Sequence, residues 1–421
     1  MDQGNTAFIL ICAALVLLMT PGLAFFYGGL VKAKSVISMM MMSFGALGLI
    51  GVLWVLYGYA IAFPGAEGTL APWTIDTGAF GLANLLETPE DAAYPPLAFA
   101  AFQATFAIIT VALVSGAIAD RAKFGAWMVF AGIWATVVYF PVASWVFNFG
   151  LAEDGSFAYG GWLTHGLQDV FGVGAIDFAG GTAVHINAGA AALALALVLG
   201  KRVGFAKGVS VPHNPPFVLL GAGLLWFGWF GFNAGSELAA DGTAALAFVN
   251  TIAAPAAALL AWLLVEKLKD GKPTSVGAAS GAVAGLVAIT PACGSLTPFW
   301  AIVLGLVAGA VCALAIDLKF KFGFDDSLDV VGIHLVGGLI GTLYLGFFAN
   351  GTGLIYSGEF TQLIVQLIAA LSVLIYSFVL AFVIGFIIEK TMGFRVKNED
   401  EIAGIDTVVH GEEGYVLADA R

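Results

Sequence analysis

Two histidines lie inside long apolar runs of this chain. His185 belongs to Asp177-Phe-Ala-Gly-Gly-Thr-Ala-Val-His185-Ile-Asn187, which opens a run reaching Leu199. His334 belongs to Asp329-Val-Val-Gly-Ile-His334, at the head of the run 330–349. An ionisable side chain within hydrocarbon is expensive and marks function by default. An imidazole stripped of water favours its neutral form, with one donor and one acceptor nitrogen. Two such rings in contact can share a hydrogen bond, receive a small polar molecule or relay its proton. One histidine alone reads equally well as a packing residue bonded to a backbone carbonyl. A matched pair favours function.

The elements that hold them are membrane helices. The chain has 421 residues, 60% hydrophobic and 10% charged, against about 25% charged in soluble domains. Its apolar stretches are too long and continuous for the alternating strands of a β-barrel. A net charge of −12 argues against a nucleic-acid partner, which calls for a basic face. Cys12, Cys293 and Cys312 are isolated and match neither a disulfide framework nor a metal site. No HExxH, Gly-x-Ser-x-Gly or paired catalytic aspartates are evident, so an enzyme is not expected, nor any cofactor.

At about 20 residues per span, eleven spans are expected, over residues 6–30, 36–63, 97–119, 124–147, 179–199, 216–236, 243–265, 275–292, 298–318, 330–350 and 361–388. The first is expected to be a span and not a cleaved leader, since no Lys or Arg precedes it. All sixteen Lys and Arg residues then fall on one side, which the positive-inside rule makes the cytoplasm. The N-terminus is expected outside and the C-terminus inside, in a plasma (inner) membrane. The outer segments carry acids only, among them Glu67, Glu87, Glu90, Asp91, Glu153, Asp154, Glu237 and Asp241. Such a face concentrates cations and disfavours an anion transporter.

Eleven spans divide into two five-span halves, 6–199 and 216–350, plus a long last helix, 361–388. Halves with an odd span number enter from opposite sides, the inverted-repeat plan of many transporters. Weak echoes fit. Phe25-Phe-Tyr-Gly-Gly29 ends span one and Phe230-Gly-Phe-Asn-Ala-Gly-Ser236 ends span six; Asp177…Gly181…His185 in span five pairs with Asp329…Gly332…His334 in span ten. The membrane domain is thus 1–388, followed by a polar tail, 389–421.

The His185 motif, Gly228-Trp-Phe-Gly-Phe-Asn-Ala-Gly-Ser236 and Asp329-Val-Val-Gly-Ile-His334 together resemble the ammonium transporter (Amt/Mep/Rh) family, on its bacterial side. The likeness runs from Pro21-Gly-Leu-Ala-Phe-Phe-Tyr-Gly-Gly29 into the tail. It implies a homotrimer of independent apolar pores in the lipid bilayer, each passing ammonium-derived nitrogen. The paired pore histidines would be His185 and His334. The stacked gate phenylalanines would be Phe106 and Phe232. Ammonium recruitment would fall to Phe106, Ser236 and an aromatic after span four. Many members have Trp there; this chain has Phe147, with Trp145 two residues earlier. A phenyl face attracts a cation less than an indole does. The tail is similar to the family's cytoplasmic tail, which packs across subunits and helps receive a PII signalling protein.

Ammonium and potassium are alike in charge and size, but only ammonium can lose a proton. The expected mechanism is cation capture, deprotonation near the outer gate, passage of ammonia past the histidines and proton return. Asp177 is expected to support the site by capping the amides of Gly180 or Gly181. Asp325, Asp326 and Asp329 suit the start of span ten in the same way. A sensor or transceptor and a Rh-like neutral gas channel are the alternatives. No signalling domain appears in the sequence, so transport is expected ahead of sensing.

Overall fold

A backbone in hydrocarbon must satisfy its own amides and carbonyls, and a continuously apolar segment does so as a helix. A computed structural model describes residues 1–65, 74–90, 92–151, 157–205 and 211–415. Glu67, Asp91, Glu153, Asp154, Lys207 and Arg421 lie outside the described residues. Ten helices in it are long and apolar enough to cross a membrane. We label them with one shorter helix in chain order: α1 Gln3–Leu30, α2 Ala33–Ala62, α3 Pro96–Ile118, α4 Phe124–Phe147, α5 Gly181–Leu199, α6 Pro215–Glu237, α7 Gly242–Asp270, α8 Ser275–Ile289, α9 Pro298–Phe322, α10 Val331–Phe348 and α11 Thr361–Thr391.

Helix α8 is the shorter one. Its 15 residues rise about 22 Å, less than the ~30 Å of a bilayer core. It ends where Pro291, with no amide to give, interrupts the ladder, and a turn carries the chain on through residues 290–295. Almost every α8 side chain from Gly277 onward is buried.

Packing repeats between the two five-helix sets. Helix α1 packs on α6, and α5 packs on α10. The contact of α1 with α3 has a counterpart in α6 with α8, and that of α2 with α4 a counterpart in α7 with α9. Glycine sets the closest approaches. A Cβ on Gly189 of α5 would lie 2.5 Å from the Leu335 amide nitrogen of α10, so any larger residue would force these helices apart. Helix α11 lies against α5, α10 and α4.

The long loop 148–176 departs from an all-α expectation. Phe149–Leu151 and Phe157–Gly160 pair as an antiparallel hairpin, a strand edge that a water-facing loop tolerates and a lipid-facing one does not.

At the opposite end, buried charges tie the loops together. The Arg202 guanidinium donates to Asp325 (2.9 Å through both Nε and Nη2) and to Asp120 (3.0 Å). Arg121 donates to the Asp325 carbonyl and to Ser327 Oγ, both at 2.5 Å. Burial alone would raise the Asp325 carboxyl; hydrogen bonds from Arg202 and the charges of Arg121 and Arg202 hold it below the ordinary range. The tail docks on this cluster. Val396 N donates to Arg121 O (2.9 Å), and Glu401 accepts from Arg395 (2.8 Å) and from Val203 N (2.6 Å). Asp406 accepts from Ile37 N (3.0 Å) and Ser38 N (2.7 Å), capping the amides at the start of α2.

Removing one partner of a buried ion pair leaves the other charge uncompensated, at a cost of roughly 3–5 kcal/mol. Arg202→Ala is therefore expected to lower the thermal midpoint in detergent sharply. A depressed carboxyl contributes stability above its unfolded pKa and loses it as pH falls through the folded value. The gap between wild type and Arg202→Ala should accordingly narrow in acid. An unchanged midpoint at neutral pH would show the cluster to be dispensable.

Candidate functional site

The local structure around His185 begins with Asp177. Its carboxylate accepts from the amides of Gly180 (2.9 Å), Gly181 (2.5 Å), Thr182 (2.8 Å) and Ala183 (3.1 Å), and from the Thr182 hydroxyl. These are the free amides of a helix start. Gly180 sits at φ 118, open to glycine and strained for other residues. The turn Gly181–Ile186 that follows is a π-helix, and its bond from His185 N to Gly180 O (3.0 Å) has the wider π spacing. Such turns concentrate at functional sites.

The start of α10 repeats the device. Val331–Leu335 is also π-helical and carries His334. Its capping carboxylate is Asp326, which accepts from Val331 N at 2.7 Å. Asp326 leads His334 by eight residues, the lead of Asp177 over His185. The Asp329 pairing expected from the sequence is corrected by this geometry. Asp329 matches Gly180: each sits three residues after its capping aspartate with positive φ, 63 in the case of Asp329. Its carboxylate binds Lys319 Nζ at 2.5 Å. Asp325 serves Arg202 instead. Burial, reinforced by the Asp329 carboxylate, pushes Asp326 up to about 6.

The two π-turns bring the histidines together. His185 Nδ1 lies 3.2 Å from His334 Nδ1, with rings tilted by 21° and centroids 5.3 Å apart. Both rings are buried. A hydrogen bond between two neutral rings through like nitrogens needs opposite tautomers. One ring carries its proton on Nδ1 and leaves Nε2 a bare acceptor. The other carries it on Nε2, a donor. The pair thus presents one acceptor and one donor, and His185 Nε2 has no hydrogen-bond partner among the described residues. The rings open on an enclosed cavity of about 10 Å³ walled by Leu23, Phe26, Ile109, Leu113, Trp229 and Phe232. That is room for about one water-sized molecule in apolar surroundings.

Phe106 and Phe232 stack at 4.2 Å and 29°, and Phe232 lies 6.1 Å from His185. Beyond the stack is an open chamber of about 1100 Å³, whose lining includes Phe106, Phe147, Asp177 and Ser236. Phe147 stands edge-on to Phe106 at 6.5 Å. Ser236 Oγ donates to Phe232 O at 2.8 Å, which leaves its oxygen lone pairs to accept. Trp145 packs on Tyr376 at 4.6 Å and Trp162 at 5.7 Å, so Phe147 is the residue facing the chamber. Of the seven residues expected from the sequence, Phe147, Ser236 and Asp177 lie at the chamber, Phe106 and Phe232 form the stack, and His185 and His334 form the pair.

Sequence reasoning missed two neighbours. Trp229 stacks on His185 (5.5 Å, 19°) and is held by its Nε1 bond to Thr290 Oγ1 (2.8 Å). Its place three residues before Phe232, on one helical face, was the available signal. Gln103 lines the chamber and is buried, with no partner for its Oε1 among the described residues.

Known proteins resemble this chain. The model of the Ammonium Transporter Family matches residues 7–415. An ammonium transporter of Mycobacterium bovis is 54% identical, over 99% of this chain and 91% of its own. That of Bacillus subtilis is 43% identical, over 99% of each. Among solved structures, a Sensor Amt Protein superposes with a TM-score of 0.86 at 27% identity, over 99% of this chain and 98% of its own. Saccharomyces cerevisiae Mep2 does so with 0.83 at 33%, over 100% and 93%.

Truncating Asp177 strips four buried amides of their acceptor, at about 1–3 kcal/mol for each one left unsatisfied. Asp177→Ala is expected to lower the unfolding midpoint in detergent markedly, and Asp177→Asn, which keeps one acceptor oxygen, to lower it less. Equal midpoints for Ala variant and wild type would exclude a capping role.

Proposed function

Since this chain belongs to the ammonium transporter family and is a multi-pass membrane protein, we propose that it captures ammonium in the chamber, deprotonates it at the phenyl stack and conducts ammonia past His185 and His334. The observation that carries this reading is the 3.2 Å contact between the histidines directly behind the stacked rings.

An intact cation in hydrocarbon costs several kcal/mol even after relaxation. In the chamber, the faces of Phe106 and Phe147 and the lone pairs of Ser236 hold ammonium by cation–π attraction and a hydrogen bond. The phenyl stack must part for passage, and what enters the small apolar cavity is favoured neutral. There the bare Nε2 accepts an N–H of ammonia, and the protonated Nε2 donates to its lone pair. When the bare Nε2 takes up the proton that ammonium left behind, the shared proton can cross the Nδ1 contact and the other ring can release its Nε2 proton; the tautomers are then exchanged and one proton has passed the pair. Ammonia takes up a proton again on the far side.

The finer architecture belongs to the same proposal. Helix α8 with its turn makes the eleventh crossing, which keeps all Lys and Arg on one side. The membrane domain 1–388 comprises the inverted halves 6–199 and 216–350 and the last helix 361–388; the paired packing of α1 with α6 and α5 with α10 supports the inversion. The N-terminus is then outside an inner (plasma) membrane. The tail 389–421 is cytoplasmic, three chains assemble, and PII is its candidate partner there. Likeness to a Sensor Amt Protein favours sensing as the second reading; higher identity to proteins named transporters ranks it second.

An ammonium jump on proteoliposomes, with current and internal pH recorded together, tests the proposal. A saturating current is expected, reduced at least about tenfold by His185→Ala, the equivalent of ~1.4 kcal/mol. Absence of any ammonium or methylammonium flux would refute it, and flux without current would favour a neutral gas channel. Phe147→Trp is expected to lower the half-saturating concentration about two- to fivefold, as a gain of ~0.5–1 kcal/mol in cation–π attraction implies.

A further inference from the structure

Helix α11 stands outside the two five-helix sets, yet it holds the strip that leads into the His185 turn. Gln366 of α11 is fully buried. Its Oε1 accepts from Ile176 N (2.7 Å), and its Nε2 donates to Ile176 O (2.8 Å). One side-chain amide thus grips both backbone groups of Ile176, the residue directly before the capping Asp177. The second Nε2 proton goes to Thr342 O of α10 (3.1 Å). Oε1 also accepts from Gln362 Nε2 (3.2 Å), which donates to Gly174 O as well (3.1 Å). Both N–H groups and both lone pairs of the Gln366 amide are therefore filled, which fixes its orientation. Ser377 follows eleven residues later, a step that returns a helix to nearly the same face. Its Oγ donates to Asn187 O (2.8 Å), just past His185. Helix α11 fastens the His185 turn before its start and after its end.

The π-turn of His334 is gripped at the matching place. Asp325 directly precedes the capping Asp326, and its carbonyl accepts from Arg121 (2.5 Å). A buried side chain from a distant part of the chain thus holds the residue ahead of each capping aspartate. That recurrence links the grip to the delivery of the histidines, beyond the general need to satisfy a backbone. We propose that Gln366 is a positioning residue of the histidine pair. By fixing Ile176 relative to α10, it sets where Asp177 starts the π-turn, and so how closely His185 approaches His334. This inference rests on the transport reading given above.

The test is the ammonium-evoked current in proteoliposomes, per folded protein, with His185 present and replaced. Gln366→Met keeps the length and removes the amide. With His185 present it is expected to lower the maximal current about tenfold, within the ~10²-fold that a misplacement of about 1 Å can cost. Half-saturation should move less than about twofold, because the capture residues are untouched. In a His185→Ala background there is no ring to place. There the same change should lower the residual flux, followed over longer times, less than about twofold, since residues that act as one unit do not add. Thermal midpoints check folding. If Gln366→Met does not fold, Ser377→Ala takes its place; losing that single hydrogen bond is expected to lower the maximal current about threefold, with the same dependence on His185. A folded variant with wild-type current would overturn the assignment. So would an equal fold-loss in both backgrounds, which would leave the amide as scaffold, or a loss confined to half-saturation, which would place its effect at the chamber. Wild-type vesicles without ammonium flux would sink the transport reading itself; a normal wild-type current with an unmoved Gln366→Met curve sinks only this one.

Discussion

A polar group with no water around it must find its partner in the protein, and the two imidazoles at the centre of this chain find each other. Their Nδ1 contact demands that both rings arrive from separate helices at one height and in opposite tautomers. That requirement propagates outward. Each ring is delivered by a π-turn, which widens the helix and turns the side chain inward. Each π-turn leaves amides free, and a buried aspartate takes them up. The two helices approach closely enough only because Gly189 has no side chain to hold them off. Trp229 closes the remaining face of His185 and is itself anchored by Thr290.

The spans and the histidines were legible in the sequence because both rest on strong, local signals: long uncharged runs, and ionisable residues inside them. The phenyl stack and Ser236 were legible only through resemblance, since 34 phenylalanines give composition no means of choosing two. Asp326 was named beside Asp325 and Asp329 as suited to the start of span ten, but Asp329 was the one paired with Asp177. Asp329 stands nearer to His334 and mimics the first motif, whereas the eight-residue lead that matters is a matter of backbone path. The end of α8 was read at 292 where the helix stops at Ile289, because hydropathy does not register where a proline ends the hydrogen-bond ladder. Trp229, marked only by its spacing from Phe232, and Gln103 were missed for a different reason. Their roles depend on which face of a helix meets which cavity, and no periodicity in a uniformly apolar helix reveals its facing.

The charged end obeys the opposite rule from the centre. There the helices stop, water is near, and buried pairs carry the connections. Arg202, Asp325 and Asp120 join three loops from different helices, and the tail adds Arg395, Glu401 and Asp406 to the same assembly. Displacing the tail therefore exposes the α2 amides and the Val203 amide together.

The match of Gly180 with Asp329 has one more implication. Both occupy the same left-handed position at the mouth of a pore-lining helix, yet one is a bare hydrogen and the other a carboxylate bound to lysine. The same backbone turn thus accepts a glycine in one place and an ion-paired aspartate in the other. An aspartate is among the few residues with a side chain that tolerate this turn, and the lysine it binds ties the second helix start to the end of α9, an anchor that the first lacks at the matching position.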